Sequence, residues 1–148
     1  MQTTDIDTSV LDYLKSLTLL CVEDNRTTQL IYNSIFEDLV GNIIFAYDGE
    51  EGYKYFIDED IDIIISDYDM PILNGLDMIE KIRKVNKEIP IVLVTAIQEI
   101  DVTVKALQLN VNNFLKKPIK PNEVMRAIEN VSKILIAENY LKEQREKR

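Results

Sequence analysis

No histidine occurs in the 148 residues, and Cys21 is the only cysteine. The first absence excludes a Cys/His zinc site and a Ser-His-Asp triad. The second excludes an internal disulfide, and Cys21, inside the apolar run LTLLCVED, reads as an inert core thiol. No apolar run approaches the roughly 20 residues that a membrane-spanning helix needs. The opening MQTTDIDTSV has neither the basic flank nor the apolar stretch of a secretory signal. A strongly basic segment is missing too. Residues 17–120 hold 18 acidic and 10 basic side chains, residues 1–16 three and one, and residues 121–148 five and six, for a net charge of −9. Sequence-independent binding to nucleic acid therefore has no electrostatic footprint. What remains is a globular balance of 46% apolar and 29% charged residues. A chain this long buries about 70% of its unfolded surface without disulfides or a structural metal. The expectation is a small, soluble, cytoplasmic domain.

Buried parallel strands read as short unbroken apolar runs, whereas the helices that cover them repeat apolar residues every three and four positions. Both patterns alternate along this chain. The runs are LTLLCVE (17–23), IIFAY (43–47), IDIIIS (61–66), PIVLVTA (90–96) and the short NFL (113–115). Between them lie Gln29, Leu30, Ile31, Ile35, Phe36 and Leu39; then Tyr53, Phe56 and Ile57; then Leu76, Ile79, Ile82 and Val85; then Val102, Val104, Leu107 and Leu109. A fifth amphipathic stretch opens at Pro121 and carries Val124, Ala127, Ile128, Val131, Ile134 and Leu135. Gly41-Asn42, Asp48-Gly49, Asn74-Gly75 and Lys117-Pro118 supply turn chemistry at the joints. Five strands alternating with five helices imply an α/β fold, a doubly wound parallel sheet covered on both faces.

Two ends fall outside the alternation. Thr8-Ser9 ahead of Val10, Leu11 and Leu14 reads as a short capped helix. Residues 1–16 are thus an N-terminal extension, 17–132 the domain, and 133–148 a C-terminal helical extension or linker. The last helix meets no stop signal, and residues 121–148 would extend about 42 Å as a continuous helix. Ala127, Val131, Ile134 and Leu141 approximate a coiled-coil seam that Glu138 interrupts. A homodimer through this helix, a linker to an output domain and a solvated tail from about Ala137 are all compatible with it.

In an open parallel sheet, chemistry gathers beyond the carboxyl ends of the strands. The first strand here ends in Glu23-Asp24, the third in Asp67-Tyr68-Asp69, the fourth in Thr95-Ala96 and the fifth in Lys116-Lys117-Pro118. Three or four carboxylates, a hydroxyl and an ammonium would meet in one hollow. Carboxylates so close repel unless a cation joins them, and hard oxygen ligands with room for water suit Mg²⁺. A strand-end aspartate beside Mg²⁺ and a lysine can accept a phosphoryl group, because metal and ammonium neutralise the developing charge. Helix capping explains one acid at Glu23-Asp24 but not two.

These residues, in this order, resemble the receiver domain of bacterial two-component response regulators, from about Leu17 to about Ser132. The resemblance implies a flavodoxin-like fold and a set of roles. Asp67, in Asp67-Tyr68-Asp69-Met70-Pro71, would be the phosphoacceptor. Glu23, Asp24, Asp67 and the backbone carbonyl of Asp69 would hold Mg²⁺, with Mn²⁺ as a substitute. Lys117 would pair with the phosphoryl oxygens. Thr95, beside Ala96, would turn inward to another oxygen and free space for Phe114, the aromatic switch residue. A sensor histidine kinase or phosphotransfer protein would supply the phosphoryl group. The face built by the fourth helix, fifth strand and fifth helix would pass the change to an output domain or partner protein.

Three departures from the common pattern bear on the lifetime of the acyl phosphate. Phe114 has no hydroxyl, Asp69 adds charge beside the acceptor, and Ile97 is apolar where it would shield the phosphoryl group from water. Slow intrinsic dephosphorylation follows as an expectation, with no other enzymatic activity. Two alternatives share the residues. Asp67-Tyr68-Asp69 also resembles the Asp-x-Asp of haloacid-dehalogenase-type Mg²⁺-dependent phosphohydrolases, although those carry the motif on their first strand. A receiver-like fold that binds partners without phosphorylation is the other.

Overall fold

Each apolar run is a strand of one parallel sheet: β1 (Thr18–Val22), β2 (Asn42–Ala46), β3 (Ile63–Asp67), β4 (Ile91–Thr95) and β5 (Asn113–Lys116). The computed structural model describes residues 8–96 and 100–147. The strand order is β2-β1-β3-β4-β5, the flavodoxin-like order, with its topological switch point between β1 and β3. The helices are α1 (Thr8–Leu14), α2 (Arg26–Phe36), α3 (Gly49–Asp58), α4 (Gly75–Val85), α5 (Ile100–Gln108) and α6 (Pro121–Glu146). The fourth and fifth helices of the alternating unit are therefore α5 and α6, and α1 is the short helix expected ahead of it.

Alternation along the strands sorts the core into two layers, because successive side chains point to opposite faces. Leu19, Cys21, Ile63, Ile65, Val92 and Val94 pack against α1, α2 and α6 through Val10, Leu14, Phe36, Ile128 and Val131. Leu20, Val22, Ile64, Ile91 and Leu93 face the other way, against Met78, Ile79, Ile82, Val102 and Ala106 of α4 and α5. Val10 and Leu14 of α1 thus sit in the same layer as the domain's own helices. The Tyr13 hydroxyl accepts a hydrogen bond from Asn139 Nδ2 at 2.7 Å, fixing α1 to α6.

All five apolar helical stretches differ somewhere from their sequence reading; on α3 and α4 the difference is the exposure of Ile57 and Val85. On α2 the buried stripe is Tyr32, Ile35, Phe36 and, beyond its end, Leu39, while Leu30 and Ile31 stand exposed. At 100° per residue those two lie off the line that three- and four-residue spacing draws through Tyr32. On α5, Val102 and Ala106 face the sheet, so Val104 and Leu107 are exposed. On α6, Ala127 and Val131 are buried, so the line expected through them to Ile134 and Leu141 is not a single exposed seam. Helix α6 continues to Glu146, 26 residues in all, or about 39 Å. Among the described residues, no helix is long and apolar enough to cross a membrane.

Leu14 is fully buried, so Leu14→Ala is expected to lower the unfolding free energy by about 2–5 kcal/mol in a urea titration. A loss below about 0.5 kcal/mol would mean that α1 contributes nothing to the core.

Candidate functional site

The crevice beyond β1 and β3 collects side chains from four strand ends. Glu23 extends the β1–β2 pairing by one residue, its amide donating to the Ala46 carbonyl at 2.9 Å. The chain then turns into α2, whose N-cap is Asn25: its side-chain oxygen accepts from the Thr28 amide at 2.9 Å. With capping done by Asn25, the carboxylate of Glu23 points back, accepting from the Asn25 amide at 3.1 Å. Gln29 Nε2 donates to the Glu23 carbonyl at 2.6 Å, tying the acidic turn to the first turn of α2. Glu23 is buried and Asp24 is exposed.

Asp67 is the last residue of β3 and is only 3% exposed. Its carbonyl accepts from the Ser66 hydroxyl at 2.9 Å. Its carboxylate Oδ1 accepts from the Asp69 amide at 3.3 Å. The following loop crosses close behind it: the Gly75 amide donates to the Tyr68 carbonyl at 2.8 Å. A Cβ at Gly75 would stand 2.3 Å from the Asp67 carbonyl oxygen, so only glycine allows this approach.

The opposite wall comes from β4 and β5. Thr95 ends β4 in register with Lys116. Its carbonyl accepts from the Lys117 amide at 3.1 Å, just before the cis Lys117-Pro118 bond. That turn delivers Lys117 Nζ to 2.6 Å from Asp67 Oδ2. Glu23, Asp24 and Asp67 each offer an oxygen within 4.8 Å of the others. An all-oxygen donor set without nitrogen or sulfur fits Mg²⁺ or Mn²⁺ rather than zinc.

The charges strain against burial. Burial, with the carboxylates of Asp24 and Asp67 beside it, pushes Glu23 up to about 7, although the Asn25 amide opposes this. Burial also raises Asp67, and Lys117 pulls it part of the way back. For Lys117 itself burial works downward, but Asp67 outweighs it and holds the ammonium above its ordinary value. Burial likewise raises the Cys21 thiol, with Glu23 and Asp67 adding to the effect, so Cys21 stays an uncharged core residue.

Of the residues singled out in sequence, Glu23, Asp24, Asp67 and Lys117 converge. Asp69 lies beside them with its backbone amide on Asp67. Ala96 follows Thr95, exposed. Phe114 is further off, 37% exposed beside a hollow of about 550 Å³ that it lines with Thr95, Ile100, Thr103 and Val104. Ile97 lies outside the described residues. Sequence reasoning missed the supports: Gln29, Ser66 and the close approach at Gly75. Asn74-Gly75 was legible as a turn. Gln29 carried no signal, since a glutamine on an amphipathic helix is ordinary.

Comparison with known proteins gives a consistent picture. A family model described as the response regulator receiver domain matches residues 19–129. Chemotaxis protein CheY1 of Helicobacter pylori is 33% identical over 115 residues, 75% of this chain and 93% of that protein. The probable transcriptional regulator ycf27 of Cyanidium caldarium is 33% identical over 76% of this chain but only 45% of its own length. The chain thus spans about half of that regulator and nearly all of the chemotaxis protein. Among solved structures, the N-terminal domain of an uncharacterized protein from Wolinella succinogenes has a TM-score of 0.77 and 32% identity, covering 83% of this chain and 99% of that one. A CheY-like receiver domain protein from Methanospirillum hungatei has a TM-score of 0.79 at 20% identity, covering 83% and 98%, a likeness of fold.

A carboxyl group whose folded pKa is raised adds stability that is complete below its unfolded value and lost as pH rises through the folded one. Glu23 and Asp67 shift in the same direction. In chelator, the thermal midpoint should therefore fall between about pH 5 and about pH 8, as Glu23 is forced to ionise. Glu23→Gln should remove most of that fall, and a wild-type midpoint that is level across the interval would contradict the crowded site.

Proposed function

Because the chain belongs to the response regulator receiver domain family of two-component signalling, we propose that it accepts a phosphoryl group on Asp67 from a sensor histidine kinase or phosphotransfer protein. The observation that carries this reading is the ion pair of Lys117 with Asp67 beside a three-carboxylate cluster. A carboxylate oxygen of Asp67 forms the new bond to phosphorus. The bond from phosphorus to the donor's imidazole nitrogen breaks, its electron pair returning to that nitrogen. Glu23, Asp24 and Asp67 would hold Mg²⁺, with the Asp69 backbone carbonyl as a further ligand, and the ion would supply charge neutralisation for the transferring oxygens. Lys117 already stands at Asp67 Oδ2, so its ammonium is next to any phosphoryl group attached there. The buried position of Asp67 favours the acyl phosphate over hydrolysis by limiting water, and Asp69 and Ile97 tune that lifetime.

The readout follows from what surrounds Thr95. Its hydroxyl turns toward the phosphoryl group, with Ala96 allowing the loop to move, and Phe114 fills the space that this leaves in the hollow beside β5. The surface so altered is apolar: Ile100, Val104, Leu107 and Phe114 are all exposed along α5 and β5. Clustered exposed apolar residues mark partner surfaces, here for an output domain or a separate protein in the cytoplasm. The domain is a switch, with hydrolysis of its own acyl phosphate as its one slow reaction.

Intact-mass analysis after incubation with Mg²⁺ and acetyl phosphate or phosphoramidate tests the reading. One phosphoryl adduct is expected, absent in Asp67→Asn and in chelator. Continuous phosphate release without an adduct would favour a phosphohydrolase, and neither outcome would leave a binding fold.

A further inference from the structure

Past Ser132 the core no longer covers α6. Val124, Ala127, Ile128, Val131 and Ser132 are buried, whereas from Lys133 to Glu146 every residue is exposed except the half-buried Leu135 and Ile136. The turns before Ser132 have already nucleated this helix, so its continuation needs only propagation. Propagation alone changes the free energy by close to zero per residue, and an end held by nothing else frays.

Helix α1 meets this end. The Tyr13 hydroxyl accepts from Asn139 Nδ2 at 2.7 Å, while a groove of about 620 Å³ lies between Val10 of α1 and Ile136, Ala137 and Tyr140 of α6. The contact is therefore partial, of a kind that can open. From its other side α1 is seated on the domain. Val10 and Leu14 enter the core layer, and the Ser16 hydroxyl closes the helix on the Tyr13 carbonyl at 2.6 Å. The Leu17 carbonyl accepts from the amides of Gly41 and Asn42 at 3.0 and 3.1 Å. A Cβ at Gly41 would stand 2.3 Å from the Lys15 carbonyl oxygen, so the glycine makes room for this seat. A helix of seven residues does not persist by itself in water, so α1 is helical because it is docked. All of α1, and α6 from Asn130 onward, lie outside residues 19–129 that the family model matches.

We propose that α1 is a strap that sets how far α6 stays helical. Docked, it holds the helix to Glu146; released, it lets residues 133–146 fray. Two marginal segments order one another, so their docking is one cooperative event separable from the unfolding of the domain. An output domain or partner held at the end of α6 keeps a fixed direction only while the strap is docked. The seat at Leu17, Gly41 and Asn42 lies at the amino ends of β1 and β2, the edge away from Asp67. The strap therefore works with or without a phosphoryl group.

Hydrogen–deuterium exchange read by mass spectrometry on the full chain tests this. In the wild type, residues 133–146 should exchange more slowly than an unstructured peptide of the same sequence. Val10→Asp, which puts a charge at a buried position of α1, should speed that exchange about tenfold while residues 121–131 keep their protection. Coupling is reciprocal, so Asn139→Pro, which breaks α6 at an exposed position, should speed exchange in residues 10–17 by a similar factor. Tyr13→Phe, which removes only the hydroxyl, should speed both segments about threefold. Should Val10→Asp unfold the whole domain, Asn139→Pro decides. An extension that keeps its wild-type protection while residues 10–17 exchange freely would overturn the proposal, as would protection of residues 10–17 that Asn139→Pro leaves untouched.

Discussion

One ammonium faces three carboxylates, and the rest of the molecule is arranged around that imbalance. Lys117 and Asp67 are 50 residues apart in sequence yet 2.6 Å apart in space. Asp67 is held there by β3, Lys117 by β5, and the two strands are kept in register by β4 between them. Removing either partner would leave a buried or half-buried charge without its counter-ion, which is costly. Glu23 and Asp24 add charge that Lys117 alone does not balance, and burial, with the carboxylates of Asp24 and Asp67 beside it, pushes Glu23 up to about 7. A site under this tension favours whatever brings positive charge, such as a divalent cation.

The sheet makes that crowding possible. Parallel strands bring all their carboxyl ends to one edge, and the reversal at β1 and β3 opens a crevice there. Apolar strands with polar residues almost only at or just beyond their ends therefore bring chemistry to the sheet edge and little that is polar to the core. Ser66 is the exception inside a strand, and its hydroxyl is spent on the Asp67 carbonyl. Helix α6 starts at this same edge and runs past the opposite one, where α1 grips it through the Tyr13–Asn139 hydrogen bond. The molecule thus has an apolar α5–β5 surface close to the site and a helical extension held by α1 far from it.

Much of this was legible from residue order. Unbroken apolar runs identified all five strands to within two residues, because buried parallel strands carry no polar side that would blur them. The acidic pair, Asp67 and Lys117 were readable because each stands where an apolar run stops. Helix faces were harder. Leu30, Ile31, Val104 and Leu107 are apolar yet exposed, since a sequence does not distinguish an apolar residue that packs inward from one offered to a partner. The supports of the site were invisible for a related reason. Gln29 and Ser66 act through single hydrogen bonds to backbone carbonyls, which leave no periodic trace. The stripe on α6 was misdrawn through Ala127 and Val131 because only burial tells the core face from the free one.

The central claim is that the carboxylate of Asp67, paired with Lys117, is the group that takes up phosphorus. Borohydride reduces an acyl phosphate to the alcohol, so peptide mass mapping of the phosphorylated and reduced protein identifies the acceptor directly. The account predicts homoserine at position 67 alone. Reduction at Glu23, Asp24 or Asp69, with Asp67 intact, would contradict it.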